Sequence, residues 1–281
     1  MTPPTCGWFG ARLVELMAAR GPLCVGIDPH PALLQEWGLD DDPGGLERFA
    51  RTAVDALAGE IAVLKPQSAF FERHGSAGIA VLERTLAQTR DAGALVLLDV
   101  KRGDIGSSMS AYAQAYLADG APLAADAITV SPYLGVGSLE PAFALAARTG
   151  RGVFVLARTS NPEGAQMQRG GPAQYVVDAL AERNTGCVPL GDLGVVVGAT
   201  VEPGELDLDA LNGPVLAPGV GAQGATVDAL PRIFGSAPRH ELPRHVLPAT
   251  AREVLRHGPD PAGMRAAALR VRDAAAALIS R

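Results

Sequence analysis

Lysine is nearly missing from this chain: of 24 basic residues only Lys65 and Lys101 are lysines. Arginine keeps its proton to above about pH 12, whereas Lys can be tuned into a working acid. Both lysines stand toward the downstream ends of short apolar runs. Cysteine is sparse as well. Cys6, Cys24 and Cys187 form no C-x-x-C pair and no zinc-like spacing. That pattern excludes a disulfide framework or zinc module and predicts reduced thiols in a cytoplasmic protein. None of the five histidines falls in an H-E-x-x-H or similar ligand pattern, so no metal site is expected. Positive charge is in deficit too. A net charge of −6 and a pI near 5.4 argue against nucleic-acid or membrane-surface binding. No run approaches the roughly 20 apolar residues of a membrane span. Arg12, Glu15 and Arg20 interrupt the N-terminal apolar stretch, so no signal peptide is expected and the chain reads as soluble. Aromatics are only 5% of a chain that is 48% hydrophobic, which shifts the core toward Ala, Val and Leu.

What the chain has in quantity is alternation. Eight β-rich runs recur: Leu23–Asp28, Ile61–Gln67, Leu95–Lys101, Ala127–Pro132, Gly152–Thr159, Leu193–Thr200, Pro214–Val220 and His245–Ala251. Between them lie stretches such as Leu46–Leu57, Ile79–Thr89, Met109–Leu117 and Leu139–Ala147, whose apolar residues recur at three- and four-residue steps, as in amphipathic helices. Trp8–Arg20 reads as an extra N-terminal lid helix and Pro261–Arg281 as a closing helix. Eight strand–helix units predict an α/β fold, a single (β/α)8 TIM barrel spanning residues 1–281 as one catalytic domain. An open doubly wound sheet is the alternative. The segment Asn184–Asp192 reads only as a connecting loop.

In a parallel barrel the strand ends converge on one mouth, and here they carry the polar groups. Strand one ends in Asp28, strand two in Lys65, and strand three in Asp99 and Lys101, with Asp104 just beyond. Strand five ends at Ser160, strand seven runs into a glycine-rich loop with Gly221 and Gln223, and strand eight reaches Arg252. Asp99 and Lys101 are two apart on a strand, so their side chains share a face. The plain alternative is a structural ion pair. Carboxylates around an ammonium favour its charged form, whereas a Schiff-base lysine must be neutral, so Lys101 reads as a proton donor rather than a nucleophile. Asp28 and Lys65 form a second opposite-charge set. The aromatic pair Phe70-Phe71 reads as packing. Gly219–Gly224 fits G-x-G-x-x-G but follows the seventh strand, which favours a barrel phosphate site over a dinucleotide fold. Arg252 would complete that site with a forked donor.

The string LDVKRGDI (Leu98–Ile105), with Asp28, Lys65-Pro66-Gln67, Ser160-Asn161-Pro162, PGVGAQG (Pro218–Gly224) and Arg252, closely resembles orotidine 5′-phosphate decarboxylase. The KPQxAFFE segment and the longer gaps look like its type 2 subfamily. The likeness runs from about Trp8 to the C-terminal helix. It implies cofactor-free decarboxylation of orotidine 5′-monophosphate to UMP in a homodimer with active sites at the interface. Lys101 would protonate C6 beside Asp99, while Asp28 and Lys65 hold the ribose. Ser160 would bind the pyrimidine, and Gln223, Arg252 and the Gly221 loop the phosphate. Asp104 and Ser108 would come from the partner. Ser108 stands where the family usually has Thr. The D-x-K-x-x-D string is shared with metal-assisted sugar-phosphate decarboxylases and aldol enzymes of the same barrel, which are the alternative reading.

Overall fold

A computed structural model describes residues 8–221, 224–235 and 242–279. Its eight strands are β1 (Cys24–Ile27), β2 (Val63–Pro66), β3 (Leu95–Arg102), β4 (Ala127–Val130), β5 (Gly152–Arg158), β6 (Leu193–Val197), β7 (Val215–Pro218) and β8 (Val246–Thr250). Each pairs in parallel with the next, and β1 pairs with β8 through Cys24↔Ala249, so the sheet closes in sequence order. The closed barrel replaces the open-sheet alternative. Closure buries both faces of every strand, which is why these segments read as apolar runs and not as alternation.

The core has two layers. One lies between barrel and helices, with Leu46, Phe49 and Leu57 of the helix Pro43–Leu57 among its members. That helix starts on Asp42, whose carboxylate accepts from Gly45 N at 2.7 Å, with Pro43 in its first turn. Asp260 caps the closing helix Pro261–Ala277 in the same way.

The second layer fills the barrel itself and includes α1 (Trp8–Arg20). Phe9, Leu13 and Met17, spaced by four, share one helical face and pack against Val63, Leu95, Ala127 and Phe154. Three of those four sit at strand starts, so α1 closes the end opposite the mouth. Close approach there requires glycine. A Cβ on Gly10 would lie 2.2 Å from Leu190 O, and one on Gly152 would lie 2.5 Å from the Phe9 ring.

Residues 184–192 prove to be more than a connection. The Asn184 amide donates to Leu193 O and Leu211 O, while Asp192 Oδ1 accepts from Gly10 N at 2.8 Å. The segment therefore locks α1 and the start of β6 onto the barrel floor. Cys187 in this segment is disulfide-bonded, which corrects the expectation of reduced thiols at that position. Cys24 is free and buried, and burial pushes its thiol pKa up to about 12.

Candidate active site

The strand ends enclose a cavity of about 620 Å³ at the barrel mouth. Asp28, Lys65, Asp99, Lys101, Ser160 and Arg252 all line it, as do Gly219 and Val220 of the β7 loop. Six of the sequence-predicted site residues are thus brought together from positions 28 to 252.

Asp99 is the hub. Its Oδ1 accepts from Lys101 Nζ at 2.7 Å and from Thr129 Oγ1 at 2.7 Å. Its Oδ2 accepts from Lys65 Nζ at 3.2 Å and Gln67 Nε2 at 3.1 Å. Burial alone would raise the Asp99 pKa. The charges of Lys65 and Lys101 and the hydrogen bonds from Lys101 and Thr129 outweigh it, holding the carboxyl well below its usual range. Burial likewise disfavours charge on Lys65, but the carboxylates of Asp99 and Asp28 push its pKa above the ordinary lysine value. Lys101 differs in exposure: its side chain is 45% exposed against 10% for Lys65. One lysine is locked in the wall and the other reaches the cavity.

Asp28 and Lys65, read from sequence as an opposite-charge set, influence each other's charge without a direct ion pair, since Lys65 Nζ turns to Asp99. Asp28 Oδ1 is shut away from solvent without a hydrogen-bond partner among the described residues. Burial raises the Asp28 pKa, Lys65 opposes the rise and the Asp99 charge adds to it. A buried unpaired carboxylate oxygen facing a cavity is costly unless a ligand donor meets it.

The far side of the cavity suits an anion. Arg252 opens the short helix Arg252–Leu255 and makes no ion pair with any described residue. Thr250 Oγ1 donates to Val220 O at 2.9 Å, which ties β8 to the β7 loop. Gly219 and Gly221 have φ of 110° and 85°, a left-handed backbone suited to glycine. Gly221 N donates to Ala225 O and approaches Glu253 instead of lining the cavity. Gln223 lies outside the described residues.

Asp104 and Ser108 stand apart from this cavity. Asp104 Oδ1 accepts from Ile105 N at 2.8 Å, and Ser108 is exposed on the helix Gly106–Leu117. Around them Ile105, Tyr133 and Leu134, from the loops after β3 and β4, are 62%, 75% and 51% exposed.

Sequence reasoning missed Thr129, whose place in AITV reads only as a β-former, and Gln67, whose signal was its position two residues after Lys65. Phe70, read as packing, lines the cavity with His30, whereas Phe71 is fully buried as expected. Among the described residues no three His, Cys, Asp or Glu side chains converge as a metal site.

A family model described as orotidine 5′-phosphate decarboxylase / HUMPS family matches residues 21–236. An orotidine 5′-phosphate decarboxylase of Salinispora arenicola is 63% identical over 269 residues, 94% of this chain and 95% of that protein. A crystal structure from Streptomyces avermitilis superposes with a TM-score of 0.91 at 56% identity, covering 97% of this chain and 96% of the other. The OMP decarboxylase of Leishmania donovani superposes with a TM-score of 0.73 at 30% identity, covering 96% and 98%.

Proposed function

The chain belongs to the orotidine 5′-phosphate decarboxylase / HUMPS family, and from that premise we propose how its barrel mouth performs the chemistry. It decarboxylates orotidine 5′-monophosphate to UMP, a step of pyrimidine biosynthesis. No described helix is long and apolar enough to cross a membrane.

In our reading the phosphate lies against Arg252, the β7 loop and Gln223, and the pyrimidine against Ser160. Asp28 and Lys65 take the ribose hydroxyls, so the orphaned Asp28 Oδ1 gains a donor when substrate binds. The substrate carboxylate is held beside Asp99. The bond from C6 to that carboxylate breaks, its electron pair stays on C6, and carbon dioxide leaves. Lys101 Nζ then gives a proton to C6 and recovers one from solvent, to which its half-exposed side chain has access. Charge develops at C6 without an electron sink, so fixed ammonium groups do the stabilising. Binding energy from the remote phosphate holds the reacting end in place. Residues 1–281 act as one catalytic domain without metal or cofactor.

We also propose a homodimer with active sites at the interface. Asp104 and Ser108 reach the partner's cavity, and the exposed Ile105, Tyr133 and Leu134 form apolar contacts beside them. Sedimentation of the native chain and of an Ile105→Glu variant tests this, the variant being expected as a monomer with little activity.

The observation that carries the catalytic reading is the Lys101 ammonium set 2.7 Å from Asp99 in a cavity that also contains Arg252, which has no ion-pair partner among the described residues. The test is conversion of orotidine 5′-monophosphate by purified protein, with and without EDTA, and by Lys101→Ala. Expected are full activity with chelator and a loss of at least about a thousand-fold in the variant, an upper-range general-acid effect. Loss with EDTA would favour the metal-assisted sugar-phosphate chemistry.

A further inference from the structure

Between its pairings with β4, strand β3 carries extra chain: Leu98 faces Ile128, but the next partners are Arg102 and Val130. Four steps on one strand oppose two on the other. Within this bulge Lys101 adopts φ of 45°, a left-handed conformation that is rare and costly for a residue with a side chain. The bulge also deprives its N–H of a ladder carbonyl. That N–H donates to Thr129 Oγ1 at 3.0 Å instead. The same hydroxyl gives its proton to Asp99 Oδ1, the oxygen that receives Lys101 Nζ.

A threonine hydroxyl has one proton to give and lone pairs to receive, and here both functions are used. The contacts close a ring: Lys101 backbone, Thr129 hydroxyl, Asp99 carboxylate, Lys101 ammonium. Thr129 is 1% and Asp99 6% exposed, so the hydroxyl and carboxylate of the ring are shielded from bulk water while the Lys101 ammonium reaches the cavity. Arg102 O accepts from Ser131 N at 2.7 Å and pins the bulge on its downstream side. It does not replace the bond to the Lys101 N–H.

We propose that Thr129 is a positioning residue for the proton donor. Its hydroxyl stands in for the missing ladder carbonyl, stabilises the left-handed Lys101 backbone and sets the lysine's reach relative to Asp99. This rests on the reading of Lys101 as the acid in decarboxylation. Valine has nearly the shape of threonine but offers neither bond. It therefore leaves the bulge free to relax and the ammonium to shift, and a displacement of about 1 Å costs on the order of a hundred-fold in rate. The phosphate grip at Arg252 lies on other strands and is untouched.

The test is kcat and KM for orotidine 5′-monophosphate in the wild type, Thr129→Val and Thr129→Ser, with folding checked by circular dichroism and thermal melting. We expect Thr129→Val to lose about a hundred-fold in kcat at nearly constant KM, and Thr129→Ser to recover most of it. The proposal is overturned if folded Thr129→Val keeps its kcat, if its loss lies in KM, or if serine does not rescue. Should the valine variant not fold, Thr129→Ala is judged by the same outcomes. A wild type that makes no UMP sinks the decarboxylase reading itself, which is a different result.

Discussion

Lys65 Nζ lies 3.2 Å from Asp99 Oδ2, with 10% and 8% of the two side chains exposed. Lys101 meets the other oxygen of the same carboxylate, so one buried anion is clamped between two ammonium groups. The two pairs are not equivalent. Removing one partner of a buried pair leaves an uncompensated charge, which is far more damaging than losing a solvated one. Lys65→Met strands Asp99 and Asp28 together in the wall with only Lys101 nearby. We expect it to lose about 3 kcal/mol of stability in urea denaturation and most of its activity. A variant as stable as wild type would mean that Lys101 alone neutralises Asp99.

Asp28 predicts the opposite stability change. Its folded pKa is raised, so the charged form costs stability, and the cost accumulates as pH climbs from the unfolded value near 3.8 through the folded one. Asp28→Asn removes that cost. At pH 7 it is expected to gain about 1 kcal/mol while KM rises through the lost ribose contact. Measured against wild type, the gain should vanish below about pH 4, where both states are protonated. A gain independent of pH would show that charge is not its source.

Asp99 produces the reverse acid limb. Its folded pKa lies below the ordinary 3.8, so its stabilisation is fully present above about pH 4 and is lost as pH falls below it. Wild-type stability should therefore decline between about pH 4 and pH 2 more steeply than that of Asp99→Asn. Parallel curves for the two proteins in urea melts would contradict the clamp.

Arg252 tests the phosphate end. The guanidinium is exposed at the cavity rim and paired with no described residue, so its loss costs the fold little. A charge-assisted hydrogen bond to an anion is worth about 1.5–3 kcal/mol, which predicts roughly a ten- to hundred-fold fall in kcat/KM for Arg252→Ala. The same substitution should leave turnover of orotidine, which lacks the phosphate, unchanged. An equal loss on both substrates would place Arg252 in the structure and not in the grip.

Much of this was readable from the chain because a closed parallel barrel writes itself plainly. Each fully buried strand is a short apolar run, and all eight runs match strands whose ends differ by a few residues at most. The polar residues at those ends, Asp28 to Arg252, then meet because topology makes them meet. The bulge in β3 left no such mark. Nothing in LDVKRGDI signals a lysine at positive φ, and Thr129 looks like any β-branched strand residue until its hydroxyl is placed. Asn184 was illegible for a related reason, since its value lies in bonds to Leu193 and Leu211 that only the packed floor creates.

The floor and the mouth of the barrel are separable, and α1 gives the means to separate them. Leu13 is fully buried in the layer that fills the barrel from below. Truncating such a leucine costs the transfer free energy of the lost atoms plus a cavity term, about 3 kcal/mol in well-packed sites. Lys101, Asp99 and Arg252 occupy the other end, and no α1 residue lines their cavity. Leu13→Ala should thus lower the urea midpoint clearly while kcat and KM at 25 °C stay within about twofold, as additivity of distant, unconnected sites requires. A large fall in kcat with the fold intact would mean that the floor transmits its packing to the Asp99 clamp through the barrel interior. The residues to examine next would then be Leu97 and Phe154, which belong to the same buried layer.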